Sequence, residues 1–199
     1  MTNITERLRE ETQTLHEQTE QLLFVDALRG GTLTADEYYQ LLLTHFAYHS
    51  ALETAIDMHS VFFAAYEPES RRKTPWLQTD LAQLQLAPPT TQSSVFEGWS
   101  PSALLGAAYV GEGSMLGGKT VWHYLQHSSA ILPLLDNARF YRGYGPETGP
   151  KWKAFLAFLS QQSGDHTETI VQGAKQAFLA YHTLFDQIQH QWASQPSYT

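Results

Sequence analysis

At 199 residues, with 42% hydrophobic and 16% charged residues, the chain is long enough to bury a core and too apolar to stay disordered. A formal charge of −8 argues against general nucleic-acid binding. The absence of cysteine excludes disulfides, cysteine–zinc sites and a thiolate ligand for iron. The N-terminal MTNITERLREE has no apolar core of the signal-peptide kind, and no apolar run reaches the roughly 18 residues of a membrane span. The expectation is one domain over residues 1–199, cytoplasmic, touching neither membrane nor nucleic acid.

Residues 4–24 read as a helix, with Ile4, Leu8, Leu15 and Leu22 on one side. His16 stands at the margin of that stripe, with Glu20 one turn on and on the same face. The glycines of LRGG at 28–31 break this helix. Thr34-x-x-Glu37 is a capping box that opens a long second one, on which His45 and His49 form an i, i+4 pair. Such a pair can hold a metal, but no third ligand is in view, and Tyr48 and Glu53 offer ordinary partners. Thr74-Pro75 opens a short helix through Leu86, and residues 87–99 are the clearest loop. Ser100-Pro101 opens a glycine-rich helix. ILPLLD after His127 reads as a short helix, FYRGYGPETG at 140–149 as a turn-rich connection, and Pro150 as the start of another helix. Ile170, Ala174, Ala177, Tyr181, Leu184, Ile188 and Trp192 form one stripe of a final helix facing the core. Nothing shows the period-two alternation of strands. The fold class is all-α, with seven or eight helices.

The segment that needs explaining is 109–125, YVGEGSMLGGKTVWHYL, with glycines at 111, 113, 117 and 118 and a fifth at 106. Each glycine inside a helix costs roughly 1 kcal/mol relative to alanine, so something must approach the bare backbone. Gly113 and Gly117 share one helical face. Close helix–helix packing is one reading. A phosphate loop is another, because Gly113 to Thr120 matches G-x-x-x-x-G-K-[ST]. That motif needs a strand before it, and SPSALLGAAYV reads as helix. The third reading is a flat apolar cofactor lying on the glycines. A carboxylate-bridged di-iron site is a further option for helical chains, but no histidine here has a glutamate three residues before it.

Two stretches together carry a resemblance. LREETQTLHEQTE at 8–20, followed by EGSMLGG at 112–118, resembles heme oxygenase, specifically the soluble bacterial type associated with bilin production. The GYG-x-TG-x-x-W stretch at 143–152 is similar to the bacterial members as well. The resemblance implies an all-α, single-domain heme oxygenase-like fold. It implies that His16 is the axial ligand of heme iron, with Glu20 beside it, and that Gly113, Ser114, Gly117 and Gly118 form the distal glycine motif. Arg9, two turns before His16, matches a basic residue that contacts a heme propionate. Lys153 (or Lys151) is the nearest match to a second such contact, and Tyr109 joins the heme-binding set.

The implied activity is oxidative ring opening of heme to biliverdin, with release of iron and carbon monoxide. Heme is then both cofactor and substrate. An external electron donor is required, such as a ferredoxin or a reductase, and a bacteriophytochrome is one candidate acceptor of the bilin. Animal-type enzymes carry an aspartate where Ser114 stands, and the bacterial Glu-Gly-Ser form shares the serine. Their membrane tail has no counterpart here. Thiamin-degrading proteins of the same fold rely on a cysteine or an acidic cluster, which the cysteine-free chain does not favour. A non-enzymatic heme carrier or sensor is the alternative: His16 binds, and Ser114 leaves oxygen unactivated.

Overall fold

Side-chain caps from the residue just before them start three of the seven helices among the described residues. The computed structural model describes residues 3–89 and 94–194, and every regular element among them is helical. The helices are α1 (Ile4–Leu22), α2 (Val25–Gly30), α3 (Ala35–Asp57), α4 (Thr74–Gln83), α5 (Pro101–Leu125), α6 (Thr148–Ser163) and α7 (Thr167–Ala193). The Thr34–Glu37 capping box forms as expected: the Glu37 N–H donates to Thr34 Oγ1 at 3.2 Å and the Thr34 N–H to Glu37 Oε2 at 2.8 Å. Ser100 caps α5 by accepting the Ala103 N–H, with Pro101 in the first turn.

Several boundaries differ from the sequence reading, two of them for a tertiary reason. The first break falls at Phe24, not at the 28–31 glycines; Phe24 takes the left-handed conformation (φ 52°) and its ring packs on Phe185 at 5.5 Å. Leu28 and Gly30 then lie inside α2, and Gly31 (φ 66°) ends it. At α4, Thr74 is the first helical residue rather than its cap. A carboxylate from another helix does the capping, because Glu53 of α3 accepts the N–H groups of Lys73 and Thr74 at 2.6 and 3.2 Å. The α4 helix stops at Gln83, before a left-handed Gln85 (φ 56°).

The expected short helix at ILPLLD is a single 3-10 turn, Leu132–Leu134, and α6 begins two residues before Pro150. Of the 87–99 loop, residues 90–93 lie outside the described residues. Its end is anchored by buried Phe96, whose ring meets Tyr48 at 5.2 Å and Trp99 at 5.0 Å. The turn-rich stretch after it is held by buried Asp80, which accepts the N–H groups of Arg139 and Phe140 at 2.7 and 2.8 Å.

α7 is the axis of the assembly, packing against α5, α1 and α3. Its expected stripe is buried from Ile170 to Ile188, and Trp192 is half-buried beside Tyr39. The α5–α7 contact is backbone on backbone. A Cβ on Gly106 would stand 2.1 Å from the Ile170 carbonyl oxygen, and one on Gly173 would stand 2.3 Å from that of Ala103. No rotamer change relieves a clash with main chain. Gly106→Ala is therefore expected to destabilise the fold by about 3 kcal/mol. Gly117→Ala, where a Cβ meets no neighbouring atom within 4 Å, should be neutral or gain up to about 1 kcal/mol. Thermal melts of the two variants without ligand check the contrast.

Candidate functional site

The structure sorts the α5 glycines by what they face. Gly106 belongs to the α7 contact, and a Cβ on Gly111 would stand 3.4 Å from Leu52 and 3.5 Å from the His49 ring. A Cβ on Gly118 would stand 3.5 Å from the Tyr141 carbonyl oxygen, so Gly118 does not share the open strip with the other two. A Cβ on Gly113 would come within 4 Å of the Trp152 ring tip alone, at 3.9 Å, and one on Gly117 would meet no described atom within 4 Å. Leu116 beside them is 43% exposed. Bare main chain at 113 and 117 therefore faces open space. The residues matching the phosphate-loop pattern lie within one unbroken helix, which provides no loop of converging N–H groups.

α1 and α5 both pack on α7 and share no extensive interface with each other among the described residues. On the α1 side, the His16 side chain is 59% exposed and its ring stands edge-on to Phe178 at 6.0 Å. Glu20 Oε1 lies 3.7 Å from His16 Nδ1, within ion-pair reach but too far for a hydrogen bond. Arg9, seven residues before His16 and on the same face, is exposed and makes no ion pair or hydrogen bond among the described residues. It sits near enough to act on Tyr109 of α5: burial raises the Tyr109 hydroxyl above its ordinary range, and the Arg9 charge works against that rise. The two lysines separate. Lys151 donates to Ser70 Oγ at 3.0 Å and lies over the Tyr144 ring, while Lys153 is exposed and unpaired among the described residues. The Ser114 hydroxyl donates to the Gly111 carbonyl at 2.8 Å, which leaves its oxygen able only to accept.

Directly behind the strip lies a network that the sequence reading missed. Glu112 is 2% exposed, and its carboxylate takes Arg71 at 2.9 Å, the Lys73 ammonium, and the Tyr66 and Tyr144 hydroxyls, each at 3.0 Å. Burial pushes the carboxyl up, but the Lys73 and Arg71 charges outweigh it and hold Glu112 below the usual carboxylate range. A small cavity of about 10 Å³ adjoins it, lined by apolar Leu52 and Ile56 as well as by His49, Glu53, Arg71 and Lys73. One signal was available: Glu112 is a lone charge in an otherwise apolar stretch of α5. The SRRK run at 70–73 reads as a solvated face and gave none.

The His45–His49 pair is core, not a metal site. Both rings are buried, and His45 is within hydrogen-bonding distance of the Tyr181 hydroxyl at 3.2 Å. Glu53, a partner expected from sequence, is engaged by α4 instead. Among the described residues no group of three histidines or acidic residues could hold a metal ion. An exposed imidazole on one helix and a bare glycine strip on another suit a metal that brings its other ligands in a flat macrocycle, and on that chemistry the residues fit heme.

Comparison with known proteins agrees. A family model for heme oxygenase matches residues 2–187. A heme oxygenase of Xanthomonas campestris pv. campestris is 30% identical over 165 residues, covering 80% of this chain and 94% of that one. The heme oxygenase of Neisseria meningitidis, solved with NO and CO bound, shares the fold with a TM-score of 0.77 at 19% identity, over 94% of this chain and 92% of that one. Heme oxygenase-1 of the cyanobacterium Synechocystis, solved with heme, gives 0.70 at 19% identity over 96% and 95%. The architecture is thus that of an all-helical, heme-degrading oxidoreductase. The chain belongs to the heme oxygenase family.

Two predictions follow from the buried charges. Glu112→Gln leaves Lys73 and Arg71 buried without their counter-ion and should cost about 3–5 kcal/mol at neutral pH. Because the Glu112 pKa is depressed, its contribution is complete above the unfolded value of 4.5 and lost as pH falls through the folded one. Chemical denaturation of both proteins should show the gap closing on strong acidification. His45 behaves in a related way, since burial lowers its pKa from 6.5 to about 3. Between those values the unfolded chain binds a proton that the folded chain refuses, so stability falls with acidification. His45→Gln should make that fall shallower by about 1.4 kcal/mol per pH unit.

Proposed function

We propose that the cleft between α1 and α5 binds heme and that the protein opens it to biliverdin, releasing iron and carbon monoxide. The observation that carries this reading is the bare Gly113–Gly117 face of α5, open to space while Gly106 of the same helix is packed backbone to backbone. His16 would hold the heme iron: its imidazole is exposed and backed by Phe178, with Glu20 close enough to orient the ring through a small movement or a bridging water. When bound, heme supplies both the iron that activates dioxygen and the porphyrin that is oxidised.

The remaining roles belong to this chain. Arg9, Lys153 and Tyr109 offer charge and a phenol hydroxyl to the carboxylate edge. The glycines admit the macrocycle close to main chain, and Leu116 keeps bulk water from that face. Ser114, its hydrogen committed to Gly111, can only accept from a water in the cleft, so it orders protons rather than donating one. Turnover draws electrons from an external donor, a ferredoxin or a reductase. The placement is cytoplasmic, residues 1–199 act as one domain, and a bacteriophytochrome is a fitting acceptor of the bilin. Among the described residues no helix is long and apolar enough to cross a membrane.

The test is an absorption time course with hemin, then ascorbate and oxygen in the presence of catalase. The expected result is a Soret band that forms and decays into broad red bilin absorption. His16→Ala should bind hemin with an altered Soret position and fail to turn over, and Gly117→Ala should weaken binding while leaving the ligand-free fold intact. A Soret band that persists under reduction identifies a carrier instead, and no heme binding ends the reading.

A further inference from the structure

Gly113 and Gly117 share a face, yet they are not equivalent. At Gly117 the strip is open, whereas at Gly113 the Cη2 of Trp152 lies 3.9 Å from where a Cβ would stand. Trp152, on α6, is half-buried, with its ring 5.7 Å from that of Tyr109 and 5.7 Å from that of Phe155. Phe155 is fully buried and packs edge-on to Tyr66, whose hydroxyl is fixed by Glu112. A run of rings therefore leads from the buried ion network to the bare strip, and Trp152 is its end. α6 packs against both α1 and α5 and so closes the cleft at this end, where Arg9 and Tyr109 also lie. At the other end Leu116 is exposed, and a Cβ on Gly117 would meet no described atom within 4 Å.

A flat ligand lying on the strip can shift toward Gly117 but not past the indole. Charge and shape then act on different properties. On the heme reading, Arg9 and Lys153 select which edge of the macrocycle, the one bearing carboxylates, comes to this end. They are exposed side chains on long stems and do not fix an angle. A braced indole does, because a ring held by two others cannot retreat without breaking core contacts.

We propose that Trp152 is a specificity-determining residue: it is the steric stop that sets the in-plane rotation of bound heme, and so which meso carbon lies against Gly113 and is oxidised. The proposal rests on the heme reading of the cleft. Removing the indole lets the macrocycle turn toward the space it vacates, bringing a second meso edge to the reactive position.

The experiment is proton NMR of the ferric, cyanide-inhibited heme complex of the full chain, in which the heme-methyl shifts report rotation about the axial ligand without turnover. Trp152→Ala should produce a new pattern of heme-methyl resonances, and its biliverdin isomer ratio should move by about tenfold, the scale set by loss of one apolar wall contact. Trp152→Phe, which keeps a ring braced by Phe155, should show a smaller shift in the same direction and decides the matter if the alanine variant does not fold. Wild-type heme-methyl patterns in the folded variants overturn the proposal while leaving the heme site standing. A wild-type protein that binds no heme overturns the site itself, before any variant is compared.

Discussion

The crossing of α5 and α7 at Gly106 and Gly173 is the constraint on which the rest depends. Main chain meets main chain there, so the position and rotation of α5 are set with almost no slack. Gly106, Gly113 and Gly117 are seven and four residues apart, which puts them on one face of an unbroken helix. That face is gripped by α7 at its first glycine, touched by one ring tip at the second, and free at the third. Helix packing, which the sequence presents as a rival to ligand approach, accounts for Gly106, and on the proposed reading ligand approach accounts for the open end of the same stripe. The packed end aims the open end.

A second device holds the same rotation from inside. Glu112 is next to Gly113, and its carboxylate is met by Arg71 and Lys73 from the segment before α4, by Tyr66 one turn upstream, and by Tyr144 from the connection before α6. Ion pairs taken out of water contribute little net stability, because desolvation offsets most of the attraction. What they supply is selectivity among packings: any rotation of α5 that turned Glu112 away would strand two buried cations. Arg71 also donates to the Tyr66 and Lys151 carbonyls, so the start of α6, with Trp152, is tied to the same point. The cleft's distal helix and its end wall therefore share one anchor.

Much of this was legible in the chain, and the exceptions have a common cause. Capping at Thr34 and Ser100, the α7 stripe and the glycine-rich helix are local, and each was read correctly because neighbours in sequence settle it. The break at Phe24 was hidden because a bulky residue adopts a left-handed conformation only when a distant ring, here Phe185, repays it. The cap of α4 was hidden because it comes from Glu53, about twenty residues earlier on another helix. Lys151 and Lys153 could not be told apart by spacing; only the contact with Ser70 withdraws the first from the cleft. The phosphate-loop match shows the converse, since a pattern satisfied letter by letter carries no chemistry when its backbone is helical throughout.

The cleft itself is an exception of another kind. A protein interior normally closes over apolar surface, yet here Leu116, the bare strip and the His16 ring remain open on a well-packed framework. Collapse is prevented from three sides: α7 spaces α1 from α5, α6 closes one end, and glycines offer no side chains with which to fill the gap. Such a gap leaves apolar burial unrealised, and a ligand that fills it adds to folding stability through its own binding free energy. The observed geometry restricts that ligand. On the heme reading proposed above, that ligand is flat enough for the strip, apolar over most of its face, met at its carboxylate edge by Arg9 and Lys153, and held by a single imidazole from α1. These features come from α1, α5 and α6, and the backbone contact at Gly106 holds α5, with the strip, against α7, on which α1 also packs.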